Sequence, residues 1–344
     1  MFTKKALPAI LAAILVLSVL AGCDIKTDSE LAMERGGGNA LSLREGKDVY
    51  SDSVRIAFLP NVIGDSLAAA WANGAKSYLD TFPNVSFDTF DGKASVDTQV
   101  QIMDELINQQ YDAILLQATD AAGLASSVEK AEAMGIPVLT INLDADTTHT
   151  ALIAAVDVEA GRNIADAIGE SLGRTGKVVI ISATPGAAKG ENIDWGFKGE
   201  ILAQYPNIEI VDEQSGEWLT ENANTVMNDF LTKYPDIDAV LCHNDAMAEG
   251  AAEAVKAAGK SIADIQIWGA DGEFKMLDYI EQNLCTGTVY TNAKAQGETA
   301  AQLAMYAVST GIMGNAFSQT PVIKMAPVIV TSENVGTITG DMRW

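Results

Sequence analysis

The stretch Ala239-Val-Leu-Cys-His-Asn-Asp-Ala-Met-Ala-Glu-Gly-Ala-Ala-Glu-Ala-Val-Lys-Ala257 changes its period partway along. Ala239 to Cys242 is a short apolar run, which predicts a buried strand. The run breaks at His243-Asn244-Asp245. Beyond the break, Ala248, Ala251, Ala252, Val255 and Ala258 recur at helical spacing. A strand run that turns into a helix period is a β-turn-α unit. The turn lies at the carboxyl end of the strand, where open α/β sheets hold their ligands. Asn244 can donate and accept hydrogen bonds, and Asp245 can accept at a helix start. One of the two is expected to cap the helix and the other to face a ligand.

The same grammar runs along the chain in both directions. Val54 to Leu59 reads as a first strand, followed by the loop Pro60-Asn61-Val-Ile-Gly-Asp65 and a helical face through Leu67, Ala70, Trp71, Gly74, Tyr78 and Leu79. Further strands are expected at Val85–Phe90, Tyr111–Leu116 and Pro137–Ile141, with a helix ending at Gly135. The cycle restarts around Ala151 to Val156. A helix from Gly161 to Leu172 closes at Gly173, the strand Lys177–Ser182 runs into the loop 183–194, and a helix covers Trp195 to Tyr205. The strand Ile208–Glu213, the helix Glu221–Lys233, the strands Ile265–Ala270 and Gly287–Tyr290, the helix Ala295–Thr310 and the run Val322–Thr331 complete the series. Strands alternating with helices imply parallel sheets covered on both faces. Two such series imply two similar α/β lobes, each a doubly wound parallel sheet. Their polar strand ends are expected to line the two sides of a cleft.

The N-terminus has a different character. Lys4 and Lys5 precede an apolar run from Ala6 to Val19, and Leu20-Ala21-Gly22-Cys23 follows. This is the layout of an export signal, and the run is short for a bilayer span. Leu-Ala-Gly-Cys also matches the bacterial lipobox, so residues 1–22 are expected to be a lipoprotein signal peptide and Cys23 the lipidation site. Residues 23–53, polar and carrying Gly36-Gly37-Gly38, are expected to be a flexible tether.

Composition narrows the function. The chain of 344 residues carries 46 Asp and Glu against 22 Lys and Arg, a formal charge of −24. Without Lys4 and Lys5 the balance is 46 against 20, or −26. Such an acidic surface repels the phosphates of nucleic acid. Past Cys23 only Cys242 and Cys285 remain, at different ends of two expected strands, and both are expected to be free thiols. There is no G-x-G-x-x-G after the first strand, no G-x-x-x-x-G-K-[ST] and no G-x-S-x-G. The two histidines, His149 and His243, lie far apart and without a nearby second ligand. Metal sites usually need three or four ligands, so no metal and no cofactor is assigned. With 46 acids, coincidental carboxylate pairs are expected, so no glycosidase pair is assigned either.

Four stretches carry a resemblance: Tyr111-Asp-Ala-Ile-Leu-Leu-Gln-Ala-Thr-Asp120, Gly135-Ile-Pro-Val138, Asn244-Asp-Ala-Met-Ala-x-Gly-Ala251 and Trp268-Gly-Ala-Asp-Gly272. In these the chain resembles the type I periplasmic binding proteins of ABC importers, nearest the ribose- and galactose-binding branch, over roughly Val54 to Val330. The resemblance implies two lobes joined by a three-stranded hinge. Residues 54–155 with 292–326 would form the N-terminal lobe, and residues 156–291 with 327–344 the C-terminal lobe. The crossings would lie near Val156, Thr291 and Met325–Ala326.

The resemblance also implies ligand contacts. Asn61 and Asp65 fall in the first loop, Gln117 stands where the family usually has Asn, and Asn142 where it often has Asp. Trp218 falls on an aromatic that stacks on a sugar ring. Asn244 and Asp271 match directly, and Thr291 replaces Asn or Gln. Asp65 and Asp271 are open to a second reading as helix caps. Two departures stand out. Glu191 or Asn192 lies where sugar-binding relatives have an arginine, in a stretch (with Asp194) that equally reads as a solvated loop. Leu143 stands where the ribose branch has another arginine, and Leu67 and Ala68 replace its sandwiching aromatics. Without those forked donors the site is expected to be more acidic and less clamped. It would suit a sugar, whose hydroxyls donate to carboxylates, or a cation held by charge and an aromatic face.

The implied protein is not an enzyme. It is a monomeric receptor, exported and lipid-anchored to the outer face of the bacterial cytoplasmic membrane or periplasmic. It would close on a small polar solute, a monosaccharide first, and present it to the membrane subunits of an ABC permease. A receptor feeding a chemoreceptor or sensor kinase, or one taking a polyol, nucleoside-like or cationic solute, is the alternative.

Overall fold

The computed structural model describes residues 45–154 and 156–344. The signal segment, Cys23 and most of the expected tether lie outside the described residues. Two six-stranded sheets organise the chain, each in its own unit. The first has the order β11-β5-β4-β3-β1-β2 and the second β12-β10-β9-β8-β6-β7. The first unit comprises the described part of Met1–Ile63, with Lys76–Leu152 and Thr299–Ile323. The second comprises Gly64–Ala75, Ile153–Glu298 and Lys324–Trp344.

In the first sheet β1 (Val54–Leu59) pairs in parallel with β2 (Val85–Thr89) and β3 (Ala113–Leu116), and β3 with β4 (Val138–Ile141). Strand β5 (Ala151–Ala154) and β11 (Val322–Lys324) extend it. Helices α1 (Ser66–Leu79), α2 (Val96–Asn108) and α3 (Ala121–Ala133) follow the strands. Met103, Leu106 and Ile107 of α2 and Leu124, Val128 and Ala131 of α3 pack on Ala57, Leu59, Ile114, Leu116 and Val138. Two side chains start these helices: Ser95 accepts from Thr98 N at 3.2 Å and Asp120 from Gly123 N at 2.7 Å. Gly135, at φ 80°, ends the turn after α3 in the left-handed region that glycine adopts without strain.

The second sheet contains β6 (Thr175–Ser182), β7 (Asn207–Ser215), β8 (Ala239–Cys242), β9 (Gln266–Asp271), β10 (Gly287–Tyr290) and β12 (Val328–Thr331). All its pairings are parallel except β10 with β12. The strand period shows in β6. Val178 and Ile180 face a layer of α4 (Asp157–Ser171) and α5 (Ala188–Gln204), where Ile164, Ile168, Ile193 and Phe197 lie. Val179 and Ile181 face the other way, toward α6 (Thr220–Lys233), α7 (Asp245–Ala257) and α8 (Phe274–Glu281). Met227, Phe230, Met247, Val255, Leu277 and Ile280 fill that layer. Each of these large side chains contributes roughly 1.5–3 kcal/mol by leaving water. The final helix, α9, spans Ala293–Thr310.

Four expectations are corrected. Chain order begins before Val54: Val49 is buried, the Lys47 ammonium pairs with Asp112 at 2.7 Å, and Lys47 N donates to Val308 O at 3.0 Å. Residues 45–53 therefore pack on the first unit, because an ion pair and an apolar anchor hold them there. The run Val322–Thr331 is two strands, one in each sheet. Helix α8, between Asp271 and Gly287, is an element that the sequence reading does not contain. Helix α5 starts at Ala188, two turns earlier than Trp195, so Glu191, Asn192 and Asp194 are helical and not in a loop. Cys242 and Cys285 are free, as expected, and both are buried.

Candidate functional site

The carboxyl end of β8 divides the work of Asn244 and Asp245. Asn244 is the cap of α7: its Oδ1 accepts from Met247 N at 2.9 Å. Its Nδ2 reaches the Trp218 carbonyl at 3.4 Å, tying the β7–α6 loop to the β8 end. Asp245 is fully buried and does not face outward. Its carboxylate accepts from Gly272 N at 2.6 Å, Glu273 N at 2.8 Å and Thr288 Oγ1 at 2.6 Å. Asp245 thereby fixes the turn after β9 and holds β10 beside it. The expectation that the second of the pair faces a ligand fails here, since three protein donors already use it.

That turn carries Asp271, the last residue of β9, at φ 148°. Its carboxylate is paired with the Lys189 ammonium from the first turn of α5. The Lys189 Nζ also stands 5.6 Å from the centre of the Trp218 ring, within cation–π range. Asp157, the first residue of α4, and Glu273 complete the group. Burial pushes the Asp157 carboxyl up, with the Lys189 charge opposing and the Asp271 charge adding to it. Burial likewise raises Asp271, against the pull of Lys189. Glu273 is pushed up to about 7, first by burial and then by the Asp271 charge. Burial alone would lower Lys189, but the Asp271 carboxylate more than offsets it and the ammonium is held firmly charged. Thr291 follows β10 and is tied to the same place, its N–H donating to Asp271 O at 2.8 Å.

In the first unit, Asn61 and Gln117 meet. Asn61 N donates to Gln117 Oε1 at 3.0 Å, and Thr119 Oγ1 donates to Asn61 Oδ1 at 2.9 Å. Gln99, fully buried, braces both: its Nε2 donates to Gln117 O at 2.8 Å and its Oε1 accepts from Thr119 N at 2.8 Å. Asn142 follows β4 at φ 65°. Asp65, in the Gly64–Ala75 segment of the second unit, accepts from Leu67 N at 2.9 Å, the contact of a helix cap at the start of α1.

The structure thus gathers Trp218, Asn244, Asp271 and Thr291 at one sheet edge, and Asn61 with Gln117 at another. Glu191 and Asn192 are exposed on α5. Three of the expected residues, Asn142, Trp218 and Asp271, have positive φ. For a bulky Trp at φ 67° this is a strained conformation of the kind that collects at functional sites. Lys189, Asp157 and Glu273 belong to this edge and were not among the expected residues. Lys189 lies two residues before Glu191, in the first turn of α5. Where the sequence leads to a more acidic and less clamped site, the Lys189 ammonium stands beside the Asp271 carboxylate.

A family model described as periplasmic binding protein domain matches residues 56–311. The ribose import binding protein of Bacillus subtilis is 34% identical over 207 residues, covering 60% of this chain and 66% of that protein. The xylitol-binding protein of Mycolicibacterium smegmatis is 31% identical over 233 residues, covering 63% and 65%. The matches thus span just under two thirds of the length of these two relatives. A crystal structure of an ABC transporter periplasmic solute binding protein from Actinobacillus succinogenes 130z, with bound D-allose, superposes with a TM-score of 0.72 at 25% identity. That match covers 83% of this chain and 100% of the other. The two parallel-sheet α/β units are those of the type I periplasmic binding proteins. By sequence and by fold, the chain belongs to the periplasmic binding protein domain family.

Proposed function

We propose that the protein is an exported, non-catalytic receptor that delivers a small polyhydroxylated solute, a monosaccharide first, to an ABC permease. The observation that carries this is the Asp271 edge. It offers a carboxylate and an ammonium side by side, with an indole ring adjacent and the Thr291 and Asn244 polar groups close by. A sugar hydroxyl donates and accepts at once, so it pairs with both members of such an ion pair, while its CH faces pack on the ring. Solutes of this class are named for the relatives above: ribose, xylitol and D-allose.

Asn61, Asp65, Gln117 and Asn142 are further proposed contacts, as are Glu191 and Asn192 at the exposed start of α5. Binding works by hinge closure, which favours the state with more solute contacts. Lipid attachment at Cys23 anchors the receptor to the membrane, and the protein acts as a monomer. Thermal unfolding of the purified full-length protein in the presence of ribose, xylitol or D-allose tests the reading. A solute at 100 times its dissociation constant should stabilise by about 2.7 kcal/mol. Asp271→Ala and Trp218→Ala should each abolish that shift. A shift that survives both substitutions would remove this edge from the site.

A further inference from the structure

We propose that Lys189 sets the solute class: held between the Asp271 carboxylate and the Trp218 ring, its ammonium neutralises the carboxyl end of β9. The site then accepts neutral polyhydroxylated solutes and discriminates against amine-bearing ones. This rests on the receptor reading above and adds to it the residue that decides specificity.

The placement of Lys189 is built into the fold. It is the second residue of α5, and its neighbour Gly190 lies so close to Ala183 and His243 that a Cβ there would stand 2.6 Å and 3.0 Å from them. His243 is buried, accepts from Ala183 N at 3.0 Å through Nδ1 and meets Asp194 at 3.1 Å through Nε2. The first two turns of α5 are thus seated on the ends of β6 and β8. From that seat Lys189 reaches the end of β9.

Three carboxyl groups, those of Asp157, Asp271 and Glu273, surround the position. The Lys189 ammonium acts electrostatically on each of them. Without it, a poorly solvated carboxylate would stand unpaired near the half-buried Trp218 ring, and an uncompensated charge of that kind is costly. An amine on the solute would then take the place of the chain's own ammonium on both partners. With Lys189 present that place is filled. A second cation meets repulsion, and a hydroxyl meets a donor and an acceptor together.

The test is titration calorimetry of the full-length protein with ribose, xylitol and D-allose, and with the amino-deoxy counterpart of each. Wild type should bind a neutral solute at least tenfold more tightly than its amino counterpart. Lys189→Met should narrow or reverse that ratio by at least tenfold, and Lys189→Arg should keep it. Lys189→Gln serves as the second neutral variant if the first does not fold. Lys189→Met with Asp271→Asn, which restores the charge balance, should lose the gained amine affinity. A ratio unchanged in both neutral variants overturns the role of Lys189 and leaves the receptor reading intact. Wild type that binds none of the six solutes, or prefers the amino forms, overturns the neutral-sugar reading and this inference with it.

Discussion

Glu273 sits at the turn that Asp245 pins, and its surroundings give it a pH dependence of its own. In the folded chain its carboxyl titrates at about 7, against an ordinary value of 4.5. Between these two values the folded state holds a proton that the unfolded chain has released. The contribution of this group therefore makes stability fall as pH rises through that window. Burial raises Asp157, Asp245 and Asp271 in the same direction, so the effects add. Glu273→Gln should flatten the decline of the unfolding midpoint between about pH 4.5 and pH 7 and raise the midpoint above it. Thermal unfolding followed by circular dichroism across the range checks this. Parallel curves for variant and wild type would show that Glu273 carries no charge penalty. At this scale the sequence is a good guide to Asn244, whose capping chemistry is local. It is a poor guide to Asp245, whose donors lie 27, 28 and 43 residues away.

Helices α4 and α5 cross through a pair of glycines. A Cβ on Gly161 would stand 2.1 Å from Ile193 O, and one on Gly196 would stand 2.0 Å from Val158 O. Each helix thus lays its backbone where the other has no side chain, and neither obstacle is a flexible group that can swing aside. This close crossing supports α5, whose start carries Lys189. Gly161→Ala or Gly196→Ala should therefore destabilise by roughly 2 kcal/mol or more through overpacking. Gly199, on the same α5, faces open space: an alanine Cβ placed there would meet nothing within 4 Å. Gly199→Ala should stabilise by up to about 1 kcal/mol, since alanine is the better helix former. Urea denaturation of the three variants separates the two effects. Loss of stability in Gly199→Ala as well would mean that helix propensity is not what glycine costs there. The true start of α5 is hidden in the sequence because Ala187 supplies no side-chain cap, so no polar residue marks the boundary.

For the molecule as a whole, the charge of −24 acts as a diffuse repulsion that compact folding must overcome. Raising sodium chloride from about 20 mM to about 0.5 M shortens the screening length several-fold. The unfolding midpoint at neutral pH should accordingly rise by a few degrees in solute-free protein. A midpoint unmoved by salt would show that the acidic groups are already balanced by local ion pairs such as Lys130–Asp104 and Lys233–Asp212.

The alternation of strand runs and helical stripes was enough to establish two parallel α/β series, because backbone pairing and amphipathic faces repeat with short periods. The motifs at 244–251 and 268–272 marked the strand ends where the edge residues stand. What the tertiary structure decided are the partners across long sequence separations. It set Lys189 against Asp271, 82 residues apart, committed Asp245 to the β9 turn, and divided Val322–Thr331 between two sheets. A local pattern records which face of an element is apolar. The identity of the charge opposite a buried carboxylate is fixed only when distant elements pack.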